Sequence, residues 1–115
     1  MIHHRQERLN EHVKRAISKV VSYELRDKRT FGIRISSVEV TPDLKHAYVL
    51  FTLLDPKHKK NAIIGLNSAS GHIRTRVAKI LNLRNTPELH FRYDSQDIDA
   101  LNLENLIEAE RKRNE

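Results

Sequence analysis

Leu9, Val13, Ala16, Ile17 and Val20 recur three and four residues apart, with Val21 at their edge and Glu24 on the same stripe. That spacing predicts an amphipathic helix over about residues 5–25. Phe31, Ile33 and Ile35 then alternate with polar neighbours, as a half-buried strand requires. Val38 and Val40 alternate in the opposite phase. One extra residue near Ser36-Ser37 reconciles the two phases, so a β-bulge or strand bend is expected there. Thr41-Pro42-Asp43-Leu44 reads as a tight turn, because proline presets φ and aspartate bonds its own backbone. Residues 45–54 read as a second strand, with Ala47, Val49, Phe51 and Leu53 toward a core and Tyr48, Leu50 and Thr52 on the other side. So short a connection makes the two strands an antiparallel hairpin.

Asp55-Pro56 reads as a helix N-cap followed by proline at the first helical position. A helical pattern follows from residue 57 to about residue 83. Ala62, Ile63, Leu66 and Ala69 give its first part an apolar side, and Ile73, Val77, Ile80 and Leu81 its second. Between them lies Ala69-Ser70-Gly71. Glycine in a helix interior costs about 1 kcal/mol relative to alanine, and a Gly/Ser pair is a known cause of kinks. A bend between two helices is therefore expected at this point. Residues 82–87 read as a loop in which Thr86 is extended, because it precedes Pro87. Leu89, Phe91 and Tyr93 alternate with Glu88, His90 and Arg92, which predicts a last strand with one face buried. The pattern weakens from Asp94 onward. Ile98 and Leu101 share no helical face with Leu103, Leu106 and Ile107. The reading is one domain over residues 1–94 and a variable, loosely ordered tail over 95–115. A short helix at 103–112, steadied by Glu108 and Lys112, fits the tail.

The fold class expected from this order is α+β, with a three-stranded sheet packed on helices in the order α-β-β-α-kink-α-β. That is the order of a type II K-homology (KH) domain. A KH domain clamps single-stranded backbone with a Gly-x-x-Gly loop between two helices. Here Ala69-Ser70-Gly71 stands in that position with one glycine. The order suggests RNA binding, while the motif argues against ordinary KH recognition.

Composition narrows the function classes. A chain of 115 residues makes one domain, and with 5% aromatic residues its core should be aliphatic. No cysteine is present, which removes disulfides, thiolate catalysis and cysteine-ligated zinc. No apolar run reaches the ~20 residues of a membrane span, and the N-terminus lacks the apolar core of a signal peptide. A soluble, cytoplasmic monomer is expected. The formal net charge is +6. Residues 1–94 carry 18 Lys/Arg and 9 Asp/Glu, and residues 95–115 carry 3 and 6, so a basic body (+9) precedes a weakly acidic tail (−3). Such a body suits a polyanionic partner, most often nucleic acid.

The basic residues form stripes. Arg8, His12, Arg15 and Lys19 recur beside the apolar stripe of the first helix, without interleaved acids. His72, Arg76 and Lys79 repeat that spacing after the bend. Lys57, Lys59 and Lys60 sit where the helix dipole disfavours cations, a conflict that a phosphate partner would relieve. The residues expected to contact RNA are therefore Arg8, Arg15, Lys19, Lys57, Lys59, Lys60, Arg74, Arg76, Lys79 and Arg84. A solvated helix face would carry the same charges. Arg26-Asp27-Lys28-Arg29 reads equally as a helix C-cap or a basic loop.

Enzyme chemistry finds no foothold. Ser68 and Ser70 lack a nucleophile-elbow context, and Asp94, Asp97 and Asp99 fall in the weakly patterned region. Three glycines, Gly32, Gly65 and Gly71, make no phosphate-binding loop. Of the seven histidines, His3 and His4 are adjacent. His12, His46, His58, His72 and His90 fall on different elements without acids at ligand spacing. Neither a metal site nor a cofactor is expected.

Several stretches, in order, resemble the ribosome-binding factor A family of bacterial small-subunit maturation factors. Glu24-Leu25-Arg26-Asp27 with Arg29 is similar to the family's segment after its first helix, with Lys28 where proline is common. Thr41-Pro42-Asp43-Leu44 followed by Ala47 resembles its hairpin turn. Residues 66–74, with Ala69-Ser70-Gly71, resemble its Ala-x-Gly helical kink. Leu83-Arg84 and Pro87-Glu88-Leu89-His90-Phe91 resemble the entry to its last strand. The resemblance implies a non-enzymatic assembly factor that binds the free small (30S) ribosomal subunit near its neck and decoding region. It also implies help with late maturation and 5′-end processing of 16S rRNA, importance at low temperature, and release by a ribosome-associated GTPase. Two other readings stay open: a module that docks on a ribosomal protein, and a duplex-DNA binder using the helix-bend-helix.

Overall fold

The computed structural model describes residues 2–95. Helix α1 spans Ile2–Tyr23, strand β1 Ile33–Val40, strand β2 His46–Leu53, helix α2 Lys59–Leu81 and strand β3 Glu88–Tyr93, with short 3-10 turns at Lys28–Thr30 and Pro56–His58. The expected α+β, KH-like architecture is borne out: three strands in the order β1-β2-β3, with two helices on one side. The tail expectations for residues 96–115, including the helix at 103–112 and its Glu108/Lys112 pair, lie outside the described residues.

Strands β1 and β2 form the antiparallel hairpin. The register shifts between Ile35 and Ser37, which leaves Ser36 as the extra residue, so the bulge is where the phase change put it. The turn is closed by Leu44 N donating to Thr41 O at 2.8 Å, with Leu44 at φ 63°. Asp43 Oδ1 accepts from Thr41 Oγ1 at 2.6 Å and from Lys45 N at 3.1 Å. Strand β3 pairs parallel to β2, setting Tyr48 beside His90 and Phe51 beside Tyr93. A parallel neighbour requires a crossover, and α2 is that crossover.

The core lies between helices and sheet. Val13, Ile17, Val20, Val49, Phe51, Leu66, Ile73, Val77 and Phe91 are its largest fully buried side chains. Each buried aliphatic or aromatic side chain contributes roughly 1.5–3 kcal/mol, and two phenylalanines suffice to fill the centre. Ala47, Val49 and Phe51 are buried as expected, and Leu53 is half-buried. Tyr48 and Leu50, on the opposite face, are buried too, which alternation did not predict. Ile80, expected on the buried face, is exposed at 37%, in the last turn of the helix.

Two features of α2 depart from expectation. The helix runs uninterrupted through Ala69-Ser70-Gly71, so there are two helices, not three. Thr75 Oγ1 donates to Gly71 O at 2.9 Å, one turn back. Among the described residues nothing lies within 4 Å of where a Gly71 Cβ would be, so none of them places a steric demand on this glycine. Gly65 does: its Cβ would come within 2.9 Å of Arg29 Cβ and 3.0 Å of Thr30 Cγ2. There the 3-10 turn lies directly against the helix. The second departure is the start. Asp55 caps as expected, its Oδ1 accepting from Lys57 N at 3.1 Å, but it caps the 3-10 turn, and α2 begins at Lys59.

Polar side chains dock α1 on the sheet edge. Asn10 Oδ1 accepts from Val40 N at 2.8 Å, and Gln6 Nε2 donates to Val40 O. One residue of β1 thus has both backbone groups satisfied by side chains one helical turn apart.

Candidate nucleic-acid interface

The core stripe of α1 points to the sheet, which turns Arg8, His12, Arg15 and Lys19 to solvent. Arg8, His12, Arg15 and Lys19 are all exposed. The interleaving is less one-sided than expected, because Glu11 Oε1 lies 3.6 Å from Arg15 Nε across one turn. Both partners are exposed, so the pair is weak and leaves Arg15 available.

On α2 the predicted stripe divides. Arg76 Nε donates to Glu24 Oε1 at 2.8 Å, and His72 Nε2 lies 3.6 Å from the same oxygen. The hydrogen bond from Arg76, with the His72 ring adding to it, holds the Glu24 carboxyl below its ordinary value of 4.5. His72 and Arg76 therefore form an ionic seam joining α1's end to the middle of α2. The acid sitting on α1's apolar stripe was the sequence signal for that seam. Arg74 is half-buried, and its Nη2 donates to Thr86 O at 3.0 Å, fastening the loop before β3. Its Nε is buried and has no hydrogen-bond partner among the described residues. The structure thus gives Arg74 and Arg76 intramolecular work.

Lys79 follows the seam and is exposed. The helix ends with Asn82 in the left-handed region (φ 53°), Leu83 N donating to Ala78 O at 2.9 Å, and Arg84 exposed just beyond. This is the Schellman arrangement. At the other end of α2, Lys57 Nζ lies 3.5 Å from Asp55, Lys59 Nζ lies 5.6 Å from the Tyr93 ring centroid, and Lys60 is exposed. Among the described residues, Arg8, Lys19, Lys60, Lys79 and Arg84 enter no ion pair.

Arg26-Asp27-Lys28-Arg29 proves to be a turn rather than a C-cap. Asp27 takes a two-oxygen grip from Arg29, with Nη2 donating to Oδ2 at 2.6 Å, and also accepts from Arg29 N at 2.9 Å. These bonds hold its carboxyl below the ordinary aspartate value. Beside this turn, Phe31 (60% exposed) and Leu54 (94%) flank an open groove rimmed by Lys28, Arg29, Asp55 and His58. Alternation had grouped Phe31 with Ile33 and Ile35, but β1 begins only at Ile33, which leaves Phe31 outside the strand and exposed.

A second group escapes the sequence altogether. The parallel register sets His46 opposite Glu88 and leaves His90 two residues on. His46 Nδ1 lies 3.0 Å from His90 Nε2 and 3.8 Å from Glu88 Oε2. Along the chain the two histidines fall on separate elements, and of the acids only Glu88, two residues before His90, shares a strand with either. Pairing of β2 with β3 brings them together. Asp94, by contrast, is buried and accepts from Ser36 Oγ at 3.1 Å.

Comparison with known proteins places the chain. The profile of the family described as ribosome-binding factor A matches residues 5–107. The ribosome-binding factor A of Neisseria meningitidis serogroup C is 39% identical over 104 residues, covering 90% of this chain and 85% of that protein. The crystal structure of ribosome-binding factor A from Thermus thermophilus superposes with a TM-score of 0.71 at 22% identity, covering 76% of this chain and 93% of that one. A homology model of the Thermus thermophilus factor, fitted into a cryo-electron-microscopy map of a 30S complex, superposes with a TM-score of 0.65 at 22% identity, covering 74% and 90%. The chain belongs to the ribosome-binding factor A family.

Proposed function

We propose that this protein binds the free small ribosomal subunit and assists late maturation and 5′-end processing of 16S rRNA, with greatest effect at low temperature. It acts without catalysis of its own, by occupying and shifting rRNA until maturation is complete, and a ribosome-associated GTPase releases it. Family membership over residues 5–107 is the observation that carries this reading, and the 30S complex of the Thermus relative supports the partner. Contact is assigned to the outward cations of the helical layer: Arg8, Arg15, Lys19, Lys60, Lys79 and Arg84. Lys57 and Lys59 lie at its margin. Arg74 and Arg76 act indirectly, by holding the loop and the helix pair. Phosphate contact supplies most of the affinity and folded rRNA shape most of the selectivity.

Sedimentation of a cell extract through a gradient tests the partner: the protein should travel with free small subunits and not with translating ribosomes. Lys19→Glu with Lys79→Glu should abolish that co-sedimentation while leaving the circular dichroism spectrum unchanged. Unchanged co-sedimentation would remove this surface from the interface. Exposed Phe31 and Leu54 favour one second reading, docking on a ribosomal protein. Binding that survives removal of RNA from the target would decide for it.

A further inference from the structure

We infer that His46, Glu88 and His90 form a binding site for a divalent transition-metal ion of the zinc class, on the sheet face away from the helices. Their candidate ligand atoms all lie within 4.8 Å of one another. Zinc bonds nitrogen and oxygen ligands at roughly 2.0–2.2 Å, so ligand atoms around a tetrahedral ion stand about 3.3 Å apart. The observed His46 Nδ1 to His90 Nε2 separation of 3.0 Å and His46 Nδ1 to Glu88 Oε2 separation of 3.8 Å straddle that value. Small side-chain rotations reach the bound geometry.

The backbone holds the ligands in place. Glu88 and His90 are two residues apart on β3, so both project to the same face, and the parallel register brings His46 alongside. Glu88 N donates to Lys45 O at 2.8 Å, which fixes the start of the pairing. The His90 ring stacks on Tyr48, with centroids 4.8 Å apart and planes 17° from parallel, so its orientation is set by a buried neighbour. Glu88 is exposed, with room to swing onto an ion. Two imidazoles and one carboxylate are a borderline-soft donor set. It suits zinc and its neighbours and offers little to magnesium, which prefers oxygen ligands in an octahedron. Three protein ligands leave a fourth position for water or an anion. A bound ion would clasp edge strand β3 to β2 at their shared starting end, and so stabilise the folded chain.

Calorimetric titration of the untagged full chain with zinc chloride tests this. One equivalent should bind, magnesium chloride should not compete, and the melting temperature should rise with zinc. His90→Ala, His46→Asn and Glu88→Gln should each weaken binding by about tenfold or more, within the range that perturbed metal sites show. His3→Ala with His4→Ala should leave binding intact. Long-range nitrogen–proton spectra should report ligation at His46 Nδ1 and His90 Nε2. The inference is overturned if zinc fails to bind the folded protein. It is also overturned if binding follows His3 and His4, or if it survives both His46→Asn and Glu88→Gln.

Discussion

Gly65 and Gly71 are chemically identical and structurally opposite. At Gly65 the helix touches the turn that precedes β1, and a methyl group would collide with Arg29 and Thr30. Gly65→Ala should therefore destabilise the protein by about 1–3 kcal/mol, the range for overpacking. At Gly71 the space is open and the backbone helical. Gly71→Ala should stabilise by about 0.5–1 kcal/mol, since only the flexibility of glycine is removed. Urea denaturation of both variants checks the pair. If subunit binding falls in the stabilised Gly71→Ala protein, flexibility at that point serves function. Glu24 supplies a pH test at the same scale. Its folded carboxyl is held below 4.5, so the seam with Arg76 contributes stability above that value and loses it as pH falls through the depressed one. Glu24→Gln should melt below wild type at neutral pH, and the gap should close in acid. A gap that stayed constant with pH would show that charge plays no part in the seam.

The elements are joined by a few polar contacts as well as by the core. Asn10 and Gln6 hold Val40 at the strand-free edge of β1. Asn10→Ala leaves the Val40 N–H without that acceptor and should cost about 1–3 kcal/mol. Amide exchange at Val40 should rise more than at Val49 in the central strand. The same logic applies where Arg74 holds Thr86, because that loop delivers β3 to its parallel place. Arg74→Lys keeps the charge but shortens the reach to the carbonyl. It should loosen β3 without altering net charge, which separates positioning from phosphate contact in a binding assay.

Across the whole molecule, charge is what the helices present outward. Affinity for small-subunit rRNA should fall steeply with salt. Replacing Lys19 and Lys79 by glutamine should flatten the log–log slope by about one unit for each phosphate no longer neutralised. A slope unchanged by both substitutions would place the bound phosphates elsewhere. Duplex DNA should compete poorly, since α2 is one uninterrupted helix and offers no second helix of a helix-bend-helix reader.

Local rules made much of this legible. Apolar spacing located α1, the hairpin, the bulge at Ser36 and β3, because core burial imposes a period on each element separately. Asp55 and the 41–44 turn were readable because their hydrogen bonds close within a few residues. Ordered motifs along the chain were enough to suggest the family. Three matters depended on distant parts of the chain meeting. The glycine that mattered sterically was Gly65, because the turn at Arg29 packs on it. Arg74 and Arg76 turned inward because Thr86 and Glu24, 12 and 52 residues away, offered acceptors. His46 met Glu88 and His90 because the α2 crossover returns the chain parallel to β2, and strand register leaves no mark on either strand's own periodicity.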